Sequence, residues 1–509
     1  MVVFILISNS KTLTTMKYFN IKLQNKAKVI SLLAVFVFCC SSVFSQTANT
    51  EYFMQSSYTK TNLNPALRPD RGHIGIPGLS NIYVDFKTNT FNLDHFMFKG
   101  VGENGKTGTF LHQNVSYSDF MDGVSKNNYL GSEVSVSVID FGFYTGDMYF
   151  TFDASVRTSF SANIPDDVFG FVKKGVTLTN DTGDNYDFSN VSAEANSFLQ
   201  LGLGASKPIM DDALMLGAKV KFLMGIANAK FKLEKMNLNV GRDEWTLESK
   251  AKMQVIYHDV SPTYDDDDCF DGADLGSGFA FSGYGLGFDL GAVFEPGKVF
   301  NFYDGNDFLN NFKVSASLTD IGFISWKKQG MYLETDPSRV NITGQHNISF
   351  DDDSDNSLDN ILDDIEDDFR DAVNLKDADI NNLKTTTGLR VKMNWGVEYE
   401  VLYNKLNVGL LSSTYFTPNK NITEVTLGSS YKPIKWIELG LSYSFIYSKY
   451  KTFGCAIHFN PGHAINLFVA SDYVIPRWNS DFVPTTSRGL NFQFGLAVGL
   501  GKMNPKYTK

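Results

Sequence analysis

Cysteine is scarce in this sequence, and the scarcity limits what can hold the fold together. The chain has four cysteines among 509 residues, and two of them, Cys39 and Cys40, lie near its start. The other two, Cys269 and Cys455, are too few for a disulfide framework, so the chain must be stabilised by its own architecture. Beyond residue 46 the sequence also lacks a stretch of about eighteen apolar residues, which excludes a transmembrane helix there.

Positive charge is in the minority as well. Acidic residues outnumber Lys and Arg by 56 to 45, which gives a formal net charge of -11. Nucleic-acid-binding proteins need a basic surface, so we expect no nucleic-acid partner. The mean hydropathy is only -0.15, whereas Phe, Tyr and Gly are abundant at 43, 23 and 42 residues. This combination favours a transmembrane barrel, whose alternating strands and aromatic girdles spread hydrophobicity thinly.

The first 45 residues have the features of a secretory signal peptide. Four lysines between residues 17 and 28 precede an apolar run over residues 29–40, and Ser45 is a small residue at the expected cleavage point. A lipoprotein signal at Cys39 is the alternative, but Phe38 is a poor residue for that motif. We therefore expect residues 1–45 to be removed and the mature chain to be exported.

Residues 490–500 form the most regular strand pattern in the chain. The large apolar residues occupy every second position: Leu490, Phe492, Phe494, Leu496, Val498 and Leu500. The residues between them are small or polar, so one face of the strand is apolar and the other is not. A strand of about ten residues with this alternation can cross a membrane in a barrel. Alone, it also fits a half-buried strand of a soluble sandwich.

The same alternation recurs along the chain from residue 134. The segments are 134–143, 148–157, 199–205, 214–224, 284–294, 312–318, 389–401 and those starting at 406, 425, 436, 453, 465 and 490. The apolar phase slips between Val138 and Ile139, which predicts a β-bulge. One more strand is expected between residues 81 and 127, either at 82–86 or at 109–117. The total is then fourteen, an even number as bacterial barrels require.

The connections between these segments decide between a barrel and a sandwich. If the strands alternate in direction, the short connections fall at one end: 145–147, 207–212, 403–405, 432–435 and 460–463. The long ones fall at the other: 163–191, 232–278, 322–387 and 475–488. Short periplasmic turns and long outer loops are typical of outer-membrane barrels. We therefore predict an all-β, transmembrane antiparallel β-barrel over residues 81–501, with long extracellular loops and a periplasmic tail at 502–509.

Residues 46–80 differ from the barrel segments because prolines interrupt them. Asn64 and Pro65, then Pro69 and Pro77, disfavour a regular ladder. One interpretation is a surface loop that leads into the first strand. The other is a hatch folded into the barrel mouth, as wide barrels are often filled in this way. The sequence leaves both open.

Charged residues lie opposite the apolar faces of several strands and so point into the predicted lumen. With the two hatch residues, they form the set of candidate ligand or lumen residues: Asn64, Pro65, Arg157, Lys219, Lys221, Asp289, Arg390, Lys392, Glu398 and Glu438. They could line a water path or pair with one another across a filled lumen, and the sequence does not give the pairing register.

We predict no catalytic residue, no metal site and no cofactor. The seven histidines accompany no nucleophile, metal-binding or phosphate-loop motif, and His458 alone has the inward parity of a strand. Acidic runs at 265–268 and 351–353 could bind divalent cations, but solvated loops are the preferred interpretation. Apolar residues at helical spacing over 358–369 predict a short amphipathic helix beside the second run.

Several short motifs together resemble a known kind of protein. They are residues 64–67 with 74–77, 285–291, 315–326 and 470–474. They look like an uncharacterised family of Gram-negative outer-membrane barrels, which is distantly similar to long-chain fatty-acid transporters and to accessory barrels of the type IX secretion system. The resemblance implies a barrel of about fourteen strands with an N-terminal inward segment, and it supplies no ligand site.

The sequence therefore predicts an outer-membrane barrel that passes or binds a small, possibly hydrophobic, solute through a lumen gated near residues 64–67. Its expected surroundings are outer-membrane lipid and lipopolysaccharide. The alternative is a barrel without transport activity that acts as a scaffold for a secretion or surface-display complex and therefore has a protein partner. An enzyme inside the barrel is the least favoured reading.

Overall fold

The structure is a computed structural model. It describes residues 47–89, 96–98, 100–101, 108–174, 184–241, 244–264, 270–299, 309–335, 338–343, 375–383, 385–416, 421–446, 450–474 and 489–501. The predicted signal peptide, both acidic runs, the helix predicted at 358–369 and the tail at 502–509 lie outside these residues. Within them, no helix has the length and apolar character needed to cross a membrane.

Most of the described chain is β-strand. The strands are β1 Gly72–Gly75, β2 Ile82–Thr88, β3 Met97–Phe98, β4 Gly108–Thr109, β5 Asn127–Thr145, β6 Met148–Pro165, β7 Asp184–Asp187, β8 Ser192–Ile209, β9 Leu214–Val240, β10 Glu244–Ile256, β11 Val260–Tyr264, β12 Phe270–Leu275, β13 Gly283–Phe294, β14 Phe312–Trp326, β15 Met331–Thr335, β16 Ser338–Thr343, β17 Leu375–Asp377, β18 Thr386–Gly388, β19 Lys392–Leu402, β20 Leu406–Tyr415, β21 Ile422–Ile434, β22 Ile437–Ile446, β23 Tyr450–Phe459, β24 Ile465–Ser471 and β25 Gly489–Leu500.

Helices are few and short. The α-helices are α1 Tyr117–Met121 and α2 Asp166–Lys174, and the 3-10 helices are Asn49–Phe53, Thr59–Asn62, Pro296–Lys298, Leu309–Asn311, Ile380–Asn382 and Pro461–His463. The first two 3-10 helices precede every strand, and they lie inside the barrel.

The strands close into an antiparallel barrel with fourteen positions. Strands β1 and β2 together occupy the first position of the wall. The other thirteen positions are, in order, β5, β6, β8, β9, β13, β14, β19, β20, β21, β22, β23, β24 and β25. Strand β25 pairs with β1 and β2 and so closes the barrel. Strand β18 extends the β19 position along β14. The predicted fold class and strand number are confirmed, and the N-terminal strand is the one at Ile82 rather than at Thr109.

The alternation that predicted the wall is visible in the exposure of its side chains. On β25, Leu490 and Phe492 are 47% and 46% exposed, whereas Gln493 and Ala497 are fully buried at 0%. Apolar side chains therefore cover the outside of the barrel and polar ones face inward. The predicted bulge is also present, because the β5–β6 register shifts between Ser137 and Ile139.

The wall begins earlier than the sequence predicts. Strand β1 pairs with β25 and β5 from Gly72, inside the range assigned to the hatch. Pro77 interrupts the ladder, but Pro77 and Gly78 form a tight turn in which Gly78 takes a positive φ of 74° and Leu79 N donates to Ile76 O at 2.9 Å. A Pro-Gly pair with these backbone angles is typical of a type II turn. The chain therefore leaves the wall briefly and returns as β2.

The barrel has an inner end, where the short turns lie, and an outer end, where the long connections lie. The sequence predicts that the short connections lie at one end of the barrel, and the turns at residues 146–147, 210–213 and 403–405 do lie at the inner end. It is incomplete, because the inner connection 295–311 is long and the outer connection 416–421 is short. Beyond the outer end, β9 continues past the wall and pairs with β10, which pairs in turn with β15 and β16. We call this extension the outer sheet.

Candidate functional site

The first described residues, 47–70, lie inside the barrel, and we call them the plug. Nearly all of them are buried, and Tyr52, Phe53 and Leu63 pack with Val293 and Leu411 of the wall in one apolar cluster. The segment is therefore folded into the barrel and is not a surface loop. The lumen is therefore filled rather than open along the described residues.

Two wall carboxylates bind the main chain of the plug. Asp472, just after β24, accepts hydrogen bonds from Asn49 N at 2.7 Å and from Thr50 N at 2.9 Å. Glu438 of β22 accepts them from Gln55 N at 2.7 Å and Ser56 N at 2.9 Å. Each carboxylate also accepts a plug hydroxyl, Thr50 Oγ1 at 2.6 Å and Ser56 Oγ respectively. Hydrogen bonds to an ionised acceptor are stronger than neutral ones, so these contacts hold the plug firmly.

A buried histidine forms the third polar contact. His458 Nε2 lies 2.9 Å from both carboxylate oxygens of Glu51 in the plug, and its ring stacks on Phe468 with 4.9 Å between centroids. Both partners are fully buried. The inward parity predicted for His458 is correct, and its partner shows that it binds the plug.

Asn64 and Pro65 seat the second half of the plug against the opposite wall. Asn64 Nδ2 donates to the carbonyls of Ala292 at 3.2 Å and Ala316 at 3.1 Å. A side chain at Gly217 would overlap the Pro65 backbone, and one at Gly291 would overlap the Asn64 amide. Glycine at these two wall positions therefore leaves the space into which the plug fits.

The charges predicted on β6, β9 and β13 pair with one another. Arg157 donates to Glu133 at 2.8 Å and, in bidentate fashion, to Asp320 at 3.0 and 3.1 Å. Lys221 lies 2.6 Å from Asp320 and 2.7 Å from Asp289. All five are buried, and burial of such charges is tolerated because each has an opposite charge beside it. We call these residues the charge network.

The other candidates lie in different places. Lys219 pairs with Asp153 and donates to Asn62 of the plug at 3.3 Å. Lys392 donates to Asn49 at 3.3 Å. Glu398 faces Tyr52, Lys60 and Lys313. Arg157, Lys221 and Asp289 thus lie together in the charge network. Glu398 and Glu438 lie apart from it, beside the plug.

A cavity lies above the plug among the described residues, and we call it the chamber. Its volume is about 50 Å³, and it is lined by Asn62, Glu133, Arg157, Ser159, Asn196, Phe198, Thr319, Asp320, Ile324, Thr387, Gly388, Leu389, Arg390, Lys392 and Tyr415. A water needs roughly 10–15 Å³ by this kind of measure, so a few waters fit, whereas a cavity that binds benzene is about 150 Å³. The chamber brings together three predicted candidates, Arg157, Arg390 and Lys392.

Aromatic and aliphatic side chains pack together at the outer end of the lumen, and we call this cluster the outer cap. Its members are Tyr129, Tyr415, Ile422, Ile446 and Tyr473. The Lys87 ammonium lies 4.6 Å from the centre of the Tyr415 ring and 5.5 Å from that of Tyr473, and it pairs with Asp85 at 3.3 Å. Cation–π contacts of this kind stabilise a desolvated ammonium. The outer cap therefore covers part of the outer end of the lumen, above the chamber.

Sequence reasoning missed several residues of this site. Asp320 lies beyond the predicted strand end at Leu318, and it takes a positive φ of 58° where β14 bulges. Asp472 follows the last residue of β24, so strand parity did not select it. Gln493, which accepts from Ala48 N at 2.8 Å, had the inward parity but no charge to single it out.

The described residues include no group of three or more His, Cys, Asp or Glu placed to hold a metal ion. The histidines with side chains in described contacts serve structure: His458 binds Glu51, and His73 lies 3.2 Å from Asp140. The arrangement can therefore bind a polypeptide segment and hold a small polar chamber above it.

Solved structures that match this chain include proteins described as channels and transporters, at low sequence identity and with TM-scores below 0.5. A TodX mutant described as a monoaromatic hydrocarbon channel is 10% identical, with coverage of 89% of this chain and 98% of its own and a TM-score of 0.37. The toluene transporter TbuX of Ralstonia pickettii is 8% identical, with 87% and 93% coverage and a TM-score of 0.36. A FadL homologue of Pseudomonas aeruginosa is 10% identical, with 91% and 100% coverage and a TM-score of 0.37.

Similarity at this level concerns the barrel fold alone. The chain matches no curated protein. Residues 65–472, which include the charge network and most of the wall, match the model of a family described as a family of unknown function, DUF5723. The resemblance to an uncharacterised barrel family is thereby confirmed, and the chain belongs to the DUF5723 family.

Proposed function

We propose that this protein is a channel of the Gram-negative outer membrane, closed by its plug, that passes a small polar solute when the plug shifts. The observation that carries the proposal is the polar contact between plug and wall. Asp472, Glu438 and His458 hold the plug through hydrogen bonds and charge. Water can replace such contacts, so a plug of this kind can leave the wall and return at moderate cost.

The lining of the chamber supports a polar solute rather than the hydrophobic one that the sequence left possible. Arg157, Arg390 and Lys392 face it together with Glu133 and Asp320, beside the apolar side chains of Phe198, Ile324 and Leu389. An apolar solute would have to displace the hydration of these charges without replacing it, which costs free energy. A polar or charged solute can hydrogen-bond to them.

The outer surface supports the membrane location. Leu216, Val220 and Phe222 of β9 and Leu286 and Phe288 of β13 are among the exposed large apolar side chains of the wall. A continuous apolar band around a closed barrel is stable in hydrocarbon and unstable in water. Outer-membrane lipid and lipopolysaccharide are accordingly the surroundings that we propose.

Reversible locking of the plug tests the proposal. The Thr50 and Ser442 hydroxyl oxygens lie 2.7 Å apart, so the double variant Thr50→Cys with Ser442→Cys, in a background of Cys269→Ser and Cys455→Ser, is expected to form a disulfide between plug and wall. In proteoliposomes we expect arabinose and acetate to enter faster after reduction with dithiothreitol than before it. The background protein without the two introduced cysteines, which shows no effect of dithiothreitol, is the control. Equal and slow entry in both states, with the barrel intact, would refute gating by the plug.

The alternative, a scaffold without transport activity, is favoured by one observation. The plug fills the described lumen, the outer cap covers part of its outer end, and the chamber between them is small. Isolation of the intact protein from outer membranes separates the two. A partner present in constant ratio, together with no solute entry in either redox state, would favour the scaffold.

A further inference from the structure

Two wall residues of opposite charge bind the start of the plug. Asn49 N donates to Asp472 at 2.7 Å, and the Asn49 side-chain oxygen accepts from Lys392 at 3.3 Å. Thr50 adds two hydrogen bonds to Asp472, from its N at 2.9 Å and from its hydroxyl at 2.6 Å. Asp472 and Lys392 are both buried. Hydrogen bonds to charged groups are the strong ones, so these two residues decide how firmly this end of the plug is held.

The same two wall residues are joined to the outer cap. The residue after Asp472 is Tyr473, a member of the cap, and its hydroxyl donates to Glu424 at 2.9 Å. The Lys392 ammonium lies 4.8 Å from the centre of the ring of Tyr415, another member of the cap. Asp472 is thus connected to the cap through the main chain, and Lys392 is connected to it through a cation–π contact.

A second ammonium joins the two cap rings to each other. The Lys87 ammonium lies 4.6 Å from the centre of the Tyr415 ring and 5.5 Å from that of Tyr473. It pairs with Asp85 at 3.3 Å and with Glu424 at 3.5 Å. Movement of either ring would leave this buried ammonium less well stabilised, which costs free energy. The two rings are therefore expected to move together.

We propose that the outer cap controls release of the plug, so that residues 48–56 leave the wall when the rings of Tyr415 and Tyr473 separate. The inference rests on the proposed release of the plug and names what regulates it. A shift of Tyr473 moves Asp472 through one peptide unit, and a shift of Tyr415 removes the ring beside Lys392. Either change weakens the hold on the plug. Because the cap lies at the outer end of the lumen, this regulation acts from the outer side.

Labelling of a buried plug residue measures the release. Ser57 is fully buried, so Ser57→Cys, in a background of Cys269→Ser and Cys455→Ser, reacts with a charged maleimide when the plug leaves the wall. Tyr473→Leu removes one ring of the cap but keeps an apolar side chain there. We expect it to raise the labelling rate about tenfold, because a desolvated cation–π contact contributes on this scale. Tyr415→Leu tests the second connection in the same way.

Combination with the carboxylate variants identifies the contact that transmits the effect. Asp472→Asn with Tyr473→Leu should label no more than about threefold faster than Asp472→Asn alone, since the cap acts through that carboxylate. Glu438→Gln with Tyr473→Leu should instead show the product of the two single effects. Glu438 binds Gln55 and Ser56, a separate part of the plug, and effects at independent sites combine in this way.

A buried aromatic residue outside the cap supplies the matched control. Phe120 of α1 is fully buried, and its ring stacks on Phe110 with 4.4 Å between centroids. We expect Phe120→Leu to leave the labelling rate unchanged. A rise in Phe120→Leu equal to that in Tyr473→Leu would show general loosening of the barrel and would overturn the inference.

Three other results would also count against regulation by the cap. Unchanged labelling in both Tyr473→Leu and Tyr415→Leu, with faster labelling in Asp472→Asn, would remove the cap from the mechanism and leave release of the plug standing. Full multiplication of the Tyr473→Leu and Asp472→Asn effects would show that cap and carboxylate act independently. Slow labelling in every carboxylate variant would refute release of the plug itself, and regulation by the cap with it.

Discussion

Neutralising the two carboxylates that bind the plug should open the lumen. In Asp472→Asn and Glu438→Gln, one side-chain oxygen becomes an amide nitrogen, which is a donor and cannot accept from the plug. Each carboxylate contacts two plug amides at 2.7 to 2.9 Å, so each substitution removes at least one hydrogen bond to a charged acceptor. Because both groups are almost fully buried, no water already compensates for the loss.

The magnitude follows from the number of bonds lost. A hydrogen bond to a charged group contributes about 1.5 to 3 kcal/mol. The double variant should therefore lose about 3 to 6 kcal/mol of the free energy that keeps the plug in place, which raises the open population roughly 10²- to 10⁴-fold. Each single variant should show about half of this change in free energy, because the two carboxylates bind separate parts of the plug.

Cysteine labelling measures the open population directly. Ser57 is fully buried in the plug, so Ser57→Cys, in a background of Cys269→Ser and Cys455→Ser, reacts with a charged maleimide only when the plug leaves the wall. We expect the labelling rate to rise at least a hundredfold in the double variant. It should stay unchanged in Glu194→Gln, because this wall carboxylate contacts Lys230 and Asn196 instead of the plug. A rise of less than about threefold, with heat-modifiable mobility retained, would refute the assignment of these carboxylates as the contacts that hold the plug.

Three further predictions follow from the site. Gly217→Val should displace the plug and speed labelling, because its side chain would overlap Pro65, whereas Gly388→Ala, which has no neighbour closer than 4.0 Å, should not. Arg157→Ala should destabilise the barrel by about 3 to 5 kcal/mol in thermal unfolding, since it leaves buried carboxylates without their partner. In the outer sheet the Lys250 hydrogen bond lowers the pKa of Glu234, so its stabilising contribution is present above the ordinary pKa and is lost as pH falls through the lowered one. Limited proteolysis of that sheet should therefore accelerate in acid, and less so in Glu234→Gln.

The wall could be predicted from sequence because the membrane imposes a simple rule on every strand. One face must be apolar and the other need not be, so residues such as Leu490 and Phe492 reveal a strand without any knowledge of its neighbours. Even the bulge at Ser137 left a local signal, because two adjacent apolar residues then face outward. Local periodicity was thus sufficient for the number of strands and for most of their positions, although it did not decide between residues 82–86 and 109–117 and did not indicate β1.

The site could not be predicted in the same way because its contacts are remote in sequence. Asn49 and Asp472 are 423 residues apart, and their meeting depends on closure of the whole barrel and on the register of every strand between them. Asp320 illustrates a second difficulty. Thr319 and Asp320 resemble the end of a strand, yet β14 continues to Trp326 because a bulge absorbs the positive φ of Asp320. Inward parity identified lumen residues, but it could not identify their partners.

The two halves of the plug differ in how they are held, and the difference determines how it opens. Residues 62–66 lie against β9, β13 and β14, close to the covalent connection at Gly72, and glycine positions in the wall are shaped to receive them. Residues 48–56 lie far from that connection along the chain. Polar side chains of β22 and β24–β25 bind their main chain, and Tyr52 and Phe53 pack with Val293 and Leu411. The charge network is satisfied within the wall and does not need the plug. The first half can therefore leave while the second half stays seated only if Tyr52 and Phe53 come out of the apolar cluster, and Asp472 and Glu438, once hydrated, would line the space that it vacates.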